Sequence, residues 1–257
     1  MAIIMKLITL TVSVVLILWI MRLKKNDPFP KGTIPKIIVG GLISCALAGL
    51  ASFILMFLYA MIKYGPDLMQ AINNFTAGDQ NALDNLPTAE PSIWLAMFKS
   101  LVFIGFIEEF LKFSNMRFAS KKPGTINNRF DAVALCALAG IAFQIFEDLT
   151  VTSRGSIGTV ILRSVMPFHF TFEVIMGYFY GRYLDTKKGK DLFLTLAVPT
   201  IIHGIYDLCV LNVTEFDYLI IFALFAFATV FVLTIVMIVK VGKWSKKETM
   251  RAPFSGE

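Results

Sequence analysis

The sequence predicts an all-α fold: a polytopic transmembrane bundle of about seven helices with an intramembrane polar cavity. Three observations predict it. Of the 257 residues 56% are hydrophobic and the mean hydropathy is +0.71, above the ~45–50% apolar share usual for a soluble domain. The apolar residues fall into runs of about 20, the length that crosses a hydrocarbon core of ~30 Å. Acidic and histidine side chains interrupt four consecutive runs, whereas the others carry almost none at depth.

In order, the predicted spans are residues 3–21, 37–62, 93–113, 132–152, 157–181, 192–211 and 218–241. The first has the look of a secretory leader, because Lys6 precedes an apolar stretch. Trp19, Arg22, Lys24 and Lys25 follow it with no small-residue cleavage site, so a retained anchor is expected. The second ends at the charged stretch opening with Lys63. Residues 63–92 then form the longest predicted loop, in which Leu68, Met69, Ile72 and Phe75 stand at helical spacing. Two readings of that spacing stay open, a lid lying on the membrane surface and an ordinary loop helix. Pro167 is placed to kink the fifth span just before His169. No internal repeat or low-complexity linker divides the chain, so residues 1–257 read as one membrane domain with a catalytic core over about 93–211. Cys45, Cys136 and Cys209 all lie inside apolar runs and read as small buried hydrophobes, with no disulfide framework or zinc-knuckle spacing.

The formal charge of +6 would suit a nucleic-acid partner if the basic residues formed one patch. They are instead distributed among alternate loops, which argues against nucleic acid and reports topology. Arg22, Lys24, Lys25, Lys31 and Lys36 follow the first span, Arg117, Lys121, Lys122 and Arg129 the third, and Arg182, Lys187, Lys188 and Lys190 the fifth. The tail from Lys240 to Arg251 completes the set. The intervening loops carry Asp67, Asp79, Asp84, Glu90, Glu215 and Asp217. The positive-inside rule then places the N-terminus outside and the C-terminus in the cytoplasm of a multi-pass protein.

A charge at the bilayer centre costs at least ~2.5–3.5 kcal/mol on insertion scales, so such residues mark a bundle interior and a function. Span three carries Lys99, Glu108, Glu109 and Lys112, and span four Glu147 and Asp148. Span five carries Arg163, His169 and Glu173, and span six His203 and Asp207. Residues four apart share a helical face. Glu108 with Lys112, Phe143 with Glu147, His169 with Glu173 and His203 with Asp207 therefore give each helix a stripe directed at a common interior. Glu108, His169 and His203 fall within about 5 Å of their span midpoints, and Glu147 lies about 8 Å toward the outside. Glu108 and Glu109 point about 100° apart, so they take different parts, one facing the cavity and the other pairing with Lys112.

His169 and His203 are the only two histidines in the chain. Imidazole and carboxylate are the ligands of open catalytic zinc sites, in which a further glutamate acts as base. The same set without metal supports a glutamate general base with histidines as acid or oxyanion donors. Both chemistries stay open on the residues alone.

Glu108-Glu109-Phe-Leu-Lys112 resembles the EExxK motif of the PrsW family of intramembrane proteases. Phe143-Gln-Ile-Phe-Glu147-Asp148 resembles that family's FxxxE motif, with Asp148 standing where the pattern has Asn. Residues 163–177, with Arg163 at the start and His169 inside, resemble its third stretch, and His203-Gly-Ile-Tyr-Asp207 its HxxxD/N ending. The resemblance, which extends to the CAAX prenyl protease group, implies an intramembrane endopeptidase. It implies that Glu108 or Glu109 activates the water, that Glu147, His169 and His203 bind a metal such as Zn2+ or polarise the scissile carbonyl, and that Asp207 orients His203. It further implies, as substrate, a single-pass membrane protein such as an anti-sigma factor, cut near its membrane-proximal segment. Three other readings compete: a proton- or cation-coupled transporter, a CAAX-type prenyl protease with its site toward the cytoplasm, and a non-enzymatic scaffold. A transporter should show inverted repeats and paired broken helices, and the sequence has neither.

Overall fold

An apolar run without water must close its backbone hydrogen bonds within itself, and the computed structural model is helical throughout its described elements. The structure describes residues 2–79, 92–151 and 166–248, with backbone alone for residues 2–6, 8, 9, 151 and 248. Arg163 lies outside these residues, as do the start of the fifth predicted span and the far part of the predicted long loop.

Seven continuous helices are described: α1 (Ala2–Leu23), α2 (Thr33–Thr76), α3 (93–119), α4 (Arg129–Val151), α5 (Phe168–Thr186), α6 (Gly189–Leu211) and α7 (Leu219–Glu248). Four of them, α2, α4, α6 and α7, are long and apolar enough to cross a membrane. Bulky apolar side chains cover their outer surfaces, with Phe53, Leu224 and Phe225 each 68% exposed. Such a surface fits lipid as solvent and would aggregate in water.

Two boundaries correct the sequence reading. α2 does not end near residue 62 but runs on to Thr76 as one 44-residue helix, about 66 Å long against a hydrocarbon core of ~30 Å. Leu68, Met69, Ile72 and Phe75 therefore extend α2 and form no separate surface helix. Pro66 lies inside it and removes one backbone donor without ending it. The second correction concerns α5, which begins at Phe168, with Pro167 in the capping position at φ −76° and ψ 67°. Proline disfavours helix in the residue before it, so the ring starts a helix here and kinks none. His169 consequently stands in the first turn of α5 and not at the midpoint of a longer span.

α4 is the central helix. Every residue from Phe130 to Gln144 is buried, as expected of a helix that is apolar all round. Small residues let its neighbours approach closely, the usual packing device between membrane helices. At Gly140 an added Cβ would lie 2.3 Å from Glu173 Cγ and 2.6 Å from the His169 carbonyl oxygen on α5. α3 and α6 meet in the same way, because a Cβ on Gly204 would fall 2.8 Å from Leu101 Cα, and one on Gly105 3.0 Å from the Thr200 carbonyl oxygen. Gly105 lies just before Glu108, and Gly204 just after His203, so this contact sets their separation.

α3 also changes its winding. Residues Lys99–Phe106 are π-helical between α-helical Ile93–Phe98 and Ile107–Ala119. Wider turns of this type are frequent at functional sites, and this one leads directly into Glu108 and Glu109.

α1 is held at its end by a buried ion pair. Lys24 Nζ donates to Asp131 Oδ1 at 2.6 Å and to Asp27 Oδ2 at 2.5 Å, and Asp131 Oδ2 accepts from the Asn127 backbone N–H at 2.8 Å. Removing one partner of a buried pair costs about 3–5 kcal/mol, because the other charge stays desolvated and alone. Asp131→Asn is therefore expected to lower the thermal unfolding midpoint clearly, whereas Asp27→Asn, at the more exposed partner, should shift it little. Equal midpoints for the two variants would show that this pair does not hold α1 to α4.

Candidate active site

Carboxylates of α3 and α5 and the His169 ring converge on Lys112, which is fully buried. Its Nζ donates to Glu109 Oε1 at 2.7 Å and to His169 Nδ1 at 2.8 Å. Carboxylate oxygens of Glu108 and Glu173 each lie 3.6 Å away, and the Phe143 ring centroid is 4.6 Å from the ammonium. A lysine without this number of anionic and π partners could not be buried.

The two histidines are oriented by different partners. An ammonium can only donate, so His169 Nδ1 accepts from Lys112 and Nε2 carries the ring proton, which it donates to Glu147 Oε2 at 2.7 Å. His203 Nδ1 donates to Glu109 Oε1 at 2.7 Å. Its Nε2 faces Asp207 Oδ2 at 3.2 Å and Glu108 Oε2 at 3.9 Å. The ring centroids of His169 and His203 are 5.2 Å apart.

The paired glutamates are placed differently, as their 100° separation requires. Glu109 is fully buried, and its Oε1 is shared between Lys112 and His203. Glu108 keeps 14% of its side chain exposed, Asp207 12% and Glu147 24%. These three carboxylates carry the exposed part of the cluster.

The cluster gathers Glu108, Glu109, Lys112, Glu147, His169, His203 and Asp207. Asp148 is buried on another face of α4, where it accepts from Gln144 Nε2 at 3.4 Å, and Lys99 lies over the Tyr59 ring of α2, 5.5 Å from its centroid. Glu173 is the residue whose part the sequence left unassigned. It is fully buried one turn beyond His169, and its spacing of four from that histidine was the available signal.

One donor atom each from Glu108, His169 and His203 lies within 4.8 Å of the other two. Glu108 Oε2, Glu109 Oε2 and both Glu173 oxygens are buried without a hydrogen-bond partner among the described residues. Among the described residues, five carboxylates surround one lysine and two histidines. Imidazole nitrogen with carboxylate oxygen is the donor set of a divalent transition metal, so the residues present fit such an ion.

In chain terms the site lies near the end of α4, in the first turn of α5, in the last turns of α6 and midway along α3. All of these except the middle of α3 belong to one end of the bundle. Arg117, Arg129, Arg182 and Lys187 mark the other end.

Comparison with known proteins identifies a family. Residues 37–238 match the profile of the PrsW family of intramembrane metalloproteases. The chain is similar to Protease PrsW of Halalkalibacterium halodurans, with 27% identity over 176 residues covering 65% of this chain and 81% of that protein. It is also similar to Protease PrsW of Oceanobacillus iheyensis, with 28% identity over 118 residues (44% and 54% of the two chains). Against Protease PrsW of Bacillus subtilis the identity is 25% over 128 residues (48% and 59%). The alignments thus span from about half to four-fifths of these relatives. No solved structure matches the chain. A family described as metalloproteases implies a metal, and its activity within the membrane implies a membrane-protein substrate and a lipid environment. With four-fifths of its length in the family profile, this multi-pass membrane protein belongs to the PrsW family of intramembrane metalloproteases.

Proposed function

We propose that the protein is an intramembrane endopeptidase that cuts a single-pass membrane protein in its extracytoplasmic juxtamembrane segment, using Glu108, His169 and His203 to hold Zn2+. Anti-sigma factors are the substrate class that the family resemblance implies. The observation that carries this reading is the crowding of Glu147, His169, His203 and Asp207 at the end of the bundle opposite its basic residues. By the positive-inside rule that end faces away from the cytoplasm, with the N-terminus outside and the C-terminus inside.

The residues divide the work. A zinc ion, when bound, supplies Lewis-acid polarisation of the scissile carbonyl. Glu147, the most exposed carboxylate of the cluster, takes the proton of the attacking water and passes it to the leaving amine. Glu109 fixes the His203 ring through Nδ1, which leaves Nε2 for the ion, and Lys112 fixes His169. To ligate through Nε2 as a neutral imidazole, His169 would carry its proton on Nδ1: the Nε2 proton would go to solvent, and Lys112 would pass one of its own to Nδ1 and then accept from it as a neutral amine. Asp207 steadies His203 from the next turn of α6. This assignment exchanges the parts that the family motifs suggest for Glu108 and Glu147.

The test combines cleavage with sidedness. Tagged single-pass proteins co-expressed with the wild type should yield a fragment that disappears with His169→Ala. In intact cells, Glu147→Cys and Asp207→Cys should react with a membrane-impermeant maleimide, whereas Lys121→Cys should react only after the cells are opened. Labelling of positions 147 and 207 only from the cytoplasm would overturn the extracytoplasmic assignment.

A further inference from the structure

α2 and α3 are pinned together at one point and stand apart beside it. Asn115 Nδ2 donates to the Ile37 carbonyl oxygen at 3.0 Å, and Asn115 Oδ1 packs so closely on Gly40 that an added Cβ would lie 1.8 Å away. Alongside this contact a groove of about 530 Å³ opens to the outside of the bundle, from Pro35 to Leu47 on α2 and from Leu111 to Phe118 on α3. Val39, Ile43, Leu47, Leu111 and Phe118 make its wall apolar.

Length and charge identify what fits. From residue 35 to residue 47 the helix rises about 18 Å, a little more than half of a ~30 Å hydrocarbon core, so the groove belongs to one leaflet. A transmembrane helix needs the full thickness and a diameter of about 10 Å, and this groove stops halfway. Its single charged lining residue, Lys36, lies at one end. Lys121 Nζ sits 4.9 Å from the centroid of the Phe118 ring, and Lys122 Nζ donates to the Lys31 carbonyl oxygen at 3.4 Å, bringing two basic loops together there. Lys31, Lys36, Lys121 and Lys122 are all exposed. An apolar slot of leaflet length with a cationic mouth is complementary to a lipid with an anionic head.

We propose that this groove binds an anionic phospholipid of the leaflet at the basic end of the bundle, with one acyl chain along Val39, Ile43 and Leu47 and the headgroup phosphate at Lys36 and Lys121. The lipid packs against the helix that carries Glu108 and Lys112, on a surface separate from the His/Glu cluster. The proposal does not depend on the protease reading, since the site is defined by a lipid and not by a substrate.

The test is retention of lipid by the purified full chain. The protein is reconstituted in vesicles of equal parts phosphatidylglycerol and phosphatidylcholine, extracted in mild detergent and weighed with its bound lipid by native mass spectrometry. Phosphatidylglycerol should be retained in preference to phosphatidylcholine. Lys36→Gln with Lys121→Gln should weaken that retention by about fivefold for each charge removed. Ile43→Trp, which fills the slot and leaves the charges, should reduce lipid retention without changing thermal unfolding. Equal retention of the two lipids by the wild type would overturn the proposal, as would full retention by the double glutamine variant. A photo-crosslinker at position 43 that captures a peptide in place of lipid would overturn it as well.

Discussion

Glu147→Gln is expected to slow cleavage of a tagged membrane substrate by ~10²–10⁴-fold, the usual contribution of a general base, while leaving the metal content of the purified protein unchanged. The amide keeps the size of the carboxylate, but it cannot take a proton at neutral pH. Glu108→Gln and His203→Ala should behave differently and lose metal as well as activity. Glu108 and His203 belong to the compact donor trio, and three protein ligands are the number usual for an open catalytic site. Metal analysis beside the cleavage assay separates the two classes. If Glu147→Gln loses its metal and Glu108→Gln keeps it, the roles are those of the family motifs and the exchange proposed here is wrong.

Lys112→Met is expected to destabilise the protein by about 3–5 kcal/mol and to abolish activity. The methionine fills nearly the same volume. The loss comes from Glu109, which gives up a 2.7 Å partner, and Glu173, which gives up its cation at 3.6 Å, while both stay fully buried. Adding Glu173→Gln to Lys112→Met removes one of those uncompensated charges, so the double variant should unfold at a higher temperature than Lys112→Met alone. Activity should not return with stability, because His169 still lacks the donor that fixes its ring. A double-mutant cycle followed by thermal unfolding measures this coupling directly. Additive effects of the two substitutions would mean that Lys112 and Glu173 do not act as a pair.

Much of the site was legible because its signals are local. Spacings of four residues predicted that Glu108 shares a face with Lys112 and His203 with Asp207, and the structure has each pair facing one partner set. The adjacent glutamates could be said to differ, since 100° per residue forbids them a common direction. Which of them would be buried depended on α6, which approaches α3 through Gly105 and Gly204 and brings His203 Nδ1 to Glu109. Glu173 was visible as a charge at depth but had no evident partner, because Lys112 reaches it from another helix. The continuation of α2 past Lys63 was missed for the opposite reason. Hydropathy stops where the apolar run stops, whereas a helix continues until its backbone hydrogen bonds are broken.

By itself the sequence determined that this is a helical membrane protein, which four of its helices carry buried charge, and that those charges include a family's motifs in order. Run length, helical periodicity and the cost of a charge in hydrocarbon are properties of a single segment, so a single segment reveals them. Only the tertiary structure decided which groups touch: that Lys112 joins Glu109 to His169, that Glu108 comes closer than Glu147 to completing a donor trio with the two histidines, and that Glu173 belongs to the cluster. Contacts between helices depend on where small residues allow two backbones to approach, and that is fixed by all the helices together.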